Sequence, residues 1–174
     1  MGDGYYFVSG CRYWHSPMEW GTLELVLSAG LALLLCTTVV TDWRWRDIPN
    51  WLTGTIALCA PLFWWATGVE LWPGAAIQVT IAIATLAITA TLFHFGAMGG
   101  GDVKLLAALA LWLPGLTFTR MILIMAIAGG ALTVVMLVRH RRAKILGKPE
   151  IPYGIAIAFG GLWVLYERYF NHFA

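Results

Sequence analysis

The chain has 174 residues, of which 60% are hydrophobic and only 11% charged, with a net charge of +2 and a mean hydropathy of +0.75. A soluble domain carries roughly 25% charged residues, so this composition excludes a water-covered globule and demands lipid as solvent. A net charge this small says little about partners, and no nucleic acid is expected among them.

Residues 1–21 contain no short apolar run behind a basic region. They are therefore read as an extracytoplasmic segment rather than a cleavable signal. Residues 22–174 read as one membrane domain of six spans, giving an all-α polytopic membrane protein. The spans are expected at about Thr22–Thr41, Trp51–Thr67, Gly74–Phe95, Val103–Leu113, Phe118–Val138 and Tyr153–Phe170. A full crossing needs about 20 residues, so the second and fourth are marginal. The fourth, ended by Pro114-Gly115, can begin inside the membrane only if protein or water meets its broken end.

Lysine and arginine set the orientation. Arg44, Arg46, Lys104, Arg139, Arg141, Arg142, Lys144 and Lys148 fall on one side, and Arg12, Arg120 and Arg168 on the other. The positive-inside rule places the first set in the cytoplasm and both termini outside. Trp43, Trp45, Trp51, Trp72, Tyr153 and Tyr166 near span ends suit an interfacial belt. Glu24, near the outer end of the first span, is expected to be solvated.

Several chemistries are missing from the sequence. Ser9, Ser16 and Ser28 lie in no G-x-S-x-G elbow, no H-E-x-x-H occurs, and no Walker A motif is present. Cys11, Cys36 and Cys59 form no C-x-x-C pair, so neither a zinc site nor a disulfide framework is indicated, and no metal or cofactor is expected. Carboxylates remain. Asp42 closes the first span, and Asp102 follows Gly99-Gly100-Gly101 between the third and fourth, on the same face. Ionisable groups at membrane depth are functional candidates by default. Two carboxylates that meet share a proton, so that one can activate water while the other polarises a carbonyl. Glycines ahead of Asp102 allow another backbone to approach closely.

The stretch Asp42 to Asn50, D-W-R-W-R-D-I-P-N, resembles the D-x-R-x-R-x-I-P-N pattern of the type IV prepilin leader peptidases. Gly99 to Leu105, G-G-G-D-V-K-L, resembles that family's G-x-G-D-x-K-L, and Ile151 to Ile157, I-P-Y-G-I-A-I, its segment opening the last span. The resemblance covers nearly all of the chain from Thr22. It implies a cytoplasmic-membrane aspartic endopeptidase that removes a basic leader from prepilin precursors, with Asp42 and Asp102 as the catalytic pair. It places Gly99, Gly101, Lys104, Arg44, Arg46, Pro49, Asn50, Pro152, Tyr153 and Gly154 around the site.

Long family members add a cysteine-bearing cytoplasmic domain associated with N-methylation. This chain resembles the short form that serves Tad/Flp pili, and methylation is not expected. Asp47 departs from the short form, where a basic residue is common, and reads as a loop group paired with Arg44 or Arg46 or capping the second span. The rival readings are an archaeal preflagellin or pilin peptidase, a proton-coupled transporter and a pilus assembly factor. The predicted topology has a direct check. In a cysteine-free background, a cysteine at position 145 is expected to be labelled only from the cytoplasmic side, and labelling from outside intact cells contradicts the orientation.

Overall fold

The computed structural model describes residues 21–142 and 152–170, without the side chains of residues 140 and 141. The 1–20 segment, the basic 143–151 loop and residues 171–174 lie outside the described residues. Six helices follow in order: α1 (Thr22–Trp45), α2 (Asn50–Ala66), α3 (Ala76–His94), α4 (Gly100–Ala110), α5 (Gly115–Arg142) and α6 (Tyr153–Phe170). The described residues contain no strand, and the expected all-α architecture holds. Each expected span is a helix. Three segments are long and apolar enough to cross a membrane: Thr22–Trp45, Leu71–His94 and Gly115–Arg139.

The other helices differ from simple crossings for a physical reason. The 11 residues of α4 pack between α2, α3 and α6. Asp102, Val103, Leu105, Leu106, Ala108, Leu109 and Ala110 are all buried, so α4 meets protein on nearly every side. A helix that ends in an apolar interior leaves carbonyls that need donors. Here the indole N–H of Trp64 donates to Leu111 O at 2.8 Å. The Gln78 amide, oriented to donate, reaches Ala110 O at 3.1 Å and Leu113 O at 3.0 Å. Broken backbone is therefore tolerated at this depth because α2 and α3 supply its hydrogen bonds.

Leu31 and Leu35 of α1, Leu52 and Ile56 of α2, Leu105 and Leu109 of α4 and Ile157 of α6 form the core. The outer surface is apolar: Val26, Leu33, Leu58, Ile83, Leu123 and Ile127 are exposed. An apolar exterior of this extent belongs against lipid tails. Small residues bring the helices close, as is common between membrane helices. A Cβ on Gly160 would lie 2.9 Å from Met121 O of α5, and one on Gly161 2.9 Å from Leu35 Cδ1 of α1.

Two expectations change. First, α1 continues past Thr41 to Trp45, so Asp42 sits inside the last turn. Arg46, in the left-handed conformation at φ 53°, ends the helix with its N–H on Asp42 O at 3.0 Å, a C-terminal arrangement that satisfies an orphan carbonyl. Second, Glu24 is not solvated; it is 7% exposed. It forms an ion pair with Arg168 of α6, whose guanidinium lies over the Phe63 ring at 5.2 Å. Beside it Ser28 Oγ and Tyr169 Oη are hydrogen-bonded at 2.5 Å. This polar cluster ties the start of α1 to the end of α6.

Removing one member of a buried ion pair strands the other charge at a cost of about 3–5 kcal/mol, whereas an apolar replacement of both is often tolerated. Arg168→Met is accordingly expected to lower unfolding stability in nanodiscs by about that amount. Glu24→Leu combined with Arg168→Met is expected to recover most of the loss. Equal stability of the single variant and the parent contradicts the pairing.

Candidate active site

The opposite end of the bundle brings together the last turn of α1, the 46–49 loop and the N-termini of α4 and α6. The N-terminus of a helix presents backbone N–H groups without intrahelical partners, and it favours negative charge. Two such termini meet here, and each receives an aspartate.

Asp42 Oδ2 accepts the backbone N–H of Ile155 at 3.0 Å, with Gly154 packed against the same carboxylate. Asp42 thus caps α6 from α1, across 113 residues of sequence. Asp102 lies in the first turn of α4, three residues after the N-cap Gly99, and reaches back toward the Gly99 backbone N–H. An acidic side chain three residues into a helix makes the same return contact in a capping box. Asp42 and Asp102 are 5% and 8% exposed, and their charges act on one another. Both line a cavity of about 640 Å³, large enough for a peptide segment.

The glycines around the pair have steric work to do. A Cβ at Gly154 would fall 2.8 Å from Asp42 Oδ2 and 2.8 Å from Ile48 Cδ1; one at Gly99 would fall 2.9 Å from Asp102 Oδ2; one at Gly101 would fall 2.9 Å from Ile48 Cβ. Ile48 was not singled out from sequence. It is 5% exposed and sits between the glycine faces of α4 and α6, fixing how far apart the two aspartates are held. An apolar isoleucine in a short loop, between Asp47 and Pro49, was the available signal.

The other expected residues divide into two groups. Arg46, Gly99, Gly101, Pro152 and Tyr153 line the cavity with the aspartates, and so do Asp47 and Ile48. Lys104 and Asn50 do not. Lys104 Nζ donates to Asn50 Oδ1 at 2.7 Å, on the side of α4 that faces α2 and α3. Arg44 is exposed, with its guanidinium over the Trp45 ring at 5.4 Å. Pro49 is the N-cap of α2, without a side-chain capping bond, so Asp47 does not cap that helix as expected. Among the described residues no group of three or more His, Cys, Asp or Glu is placed to hold a metal ion.

These features define a helical membrane protein with a carboxylate pair at the wall of a cavity at one end of its bundle. The pattern of the type IV leader peptidase family matches residues 29–138, and the chain belongs to that family. A prepilin leader peptidase/N-methyltransferase of Burkholderia pseudomallei (strain K96243) is 31% identical over 163 residues, 84% of this chain and 50% of that protein. One of the same name from Pectobacterium carotovorum subsp. carotovorum is 29% identical over 170 residues, 95% of this chain and 58% of that protein. The chain thus spans about half the length of the curated relatives it matches. No solved structure gives a significant match.

The close packing of Gly154 makes it sensitive to a single methyl. Gly154→Ala is expected to destabilise the protein by about 1–3 kcal/mol through overpacking. Gly130→Ala, where a Cβ meets nothing within 4 Å, is expected to be neutral or to stabilise α5 by up to about 1 kcal/mol. Thermal unfolding of both variants in one detergent makes the comparison; equal effects contradict the tight fit at α6.

Proposed function

We propose that this chain is an aspartic endopeptidase that cuts the leader from prepilin-like precursors at the cytoplasmic face of the inner membrane. The observation that carries the reading is the meeting of Asp42 and Asp102 at one cavity, each at a helix N-terminus. Family membership supports it, as does the activity in the relatives' names. The eight basic residues that the sequence groups on one side, Arg44 and Arg46 beside this site among them, support the cytoplasmic face. The apolar exterior supports entry of an apolar substrate helix from lipid.

The chemistry follows from the inventory of donors and acceptors. An ionised carboxylate can only accept hydrogen bonds, and Asp42 accepts the backbone N–H of Ile155. Asp42 therefore keeps the negative charge and Asp102 the shared proton. Asp42 takes a proton from a water molecule, whose oxygen adds to the scissile carbonyl carbon, while Asp102 donates its proton to the carbonyl oxygen. The tetrahedral diol then collapses: Asp42 gives its proton to the amide nitrogen, the C–N bond breaks with the amine leaving, and Asp102 recovers a proton from the diol hydroxyl whose C=O re-forms. The pair returns to its starting state with one water consumed.

The test is incubation of the purified protein with a prepilin precursor and mass measurement of the products. The parent is expected to release a basic leader and a shortened apolar chain. Asp42→Asn and Asp102→Asn are each expected to abolish cleavage by at least about 10³-fold while leaving the fold intact. Asp47→Asn is expected to retain turnover at saturating substrate, and chelators are expected to leave the rate unchanged. A folded Asp102→Asn variant that cuts at the parent rate contradicts the mechanism. Loss with EDTA that a divalent ion restores contradicts the metal-independent chemistry.

A further inference from the structure

The 46–49 loop holds a carboxylate that neither the fold nor the catalytic pair requires. Arg46 turns the chain out of α1 in a left-handed conformation. Ile48 is buried between α4 and α6, and Pro49 starts α2. Asp47 is pinned between these fixed points. It is exposed and lines the same cavity as Asp42 and Asp102.

The structural tasks open to it are filled by others. Asp47 does not cap α2. The Arg46 charge acts on Asp42, Arg44 stacks on Trp45, and Lys104 is held by Asn50 on another face. Among the described residues Asp47 makes no hydrogen bond or ion pair. Its charge instead acts on Asp42, a like-charge contact that is unfavourable on its own. Among the described residues the wall carries three carboxylates and one guanidinium, a set that is net negative even when the catalytic pair shares a proton. A cation arriving with the substrate relieves that crowding.

We propose that Asp47 is a specificity-determining residue: it receives a lysine or arginine side chain of the substrate on the leader side of the scissile bond. The proposal rests on the peptidase reading given above for the site and adds the chemistry by which one part of the substrate is recognised. Because Asp47 is exposed, its contribution is that of a partly solvated ion pair, and it falls with salt.

The experiment uses the full chain in nanodiscs and three synthetic precursors. Their leader lysines and arginines are kept, changed to glutamine, or changed to glutamate. The parent is expected to favour the basic form over the glutamine form by about three- to tenfold in KM. Asp47→Asn is expected to remove that preference with kcat unchanged within about twofold. Asp47→Glu is expected to restore the preference, and Asp47→Lys to turn it toward the glutamate form.

Retention of the parent's preference by Asp47→Asn overturns the proposal. So does an equal fall in kcat on all three precursors with KM unmoved. Equilibrium binding of the same labelled precursors separates this proposal from the peptidase reading. If none is cut but charge-dependent binding disappears in Asp47→Asn, the peptidase reading fails and the role of Asp47 in recognition stands. Charge-independent binding to the parent overturns the role of Asp47 whether or not cleavage occurs.

Discussion

The capping of α6 by Asp42 is the constraint on which the site depends. A helix that starts within a largely apolar bundle brings unpaired N–H groups, and that of Ile155 in α6 is answered by a side chain of α1. The same bond therefore closes the bundle and aims a carboxylate. Gly154 makes the approach possible, because a side chain there would displace Asp42 or Ile48. Asp102 repeats the device at α4, within its own first turn. Asp42 is held by backbone, which moves less than a side-chain partner would, and preorganised charge is what an electrostatic site needs.

The shape of the rest follows from presenting α4 at the right depth. Eleven residues cannot cross a bilayer, and α4 does not need to, because α2, α3 and α6 surround it. Its last carbonyls are answered by Trp64 and Gln78. The longer α1, α3 and α5 present the apolar exterior. At the far end, the Glu24–Arg168 pair and the neighbouring Ser28–Tyr169 bond fix α1 against α6. The two ends of one helix pair are thus fastened by polar contacts, one dedicated to holding and the other also lining the cavity.

Much of this was legible in the sequence. Asp42 and Asp102 stood out because charge is scarce in so apolar a chain, and the six helices followed from the hydrophobic blocks. What stayed hidden was pairing across long separations. Glu24 looked solvated because its partner, Arg168, is 144 residues away, and neither residue carries a signal for the other. Lys104 follows Asp102 by two residues, which on a helix places the two side chains on different faces; the motif groups them, while the fold directs Lys104 to Asn50. Ile48 was overlooked because loop positions are read for charge and turn chemistry rather than for packing. Asp47 was expected to pair with Arg44 or Arg46 or to cap α2, but Pro49 holds the N-cap of α2 and Arg44 lies over Trp45.

The central claim is that Asp42 and Asp102 work as one unit with one shared proton. The most direct measurement is the residual cleavage rate of Asp42→Asn, Asp102→Asn and the double variant on one precursor, each checked for intact folding. Groups that act as a unit lose most of their function with the first removal, so the double variant is predicted to be as slow as either single one. Single losses that multiply in the double variant would contradict the account, because they would show two acids contributing independently.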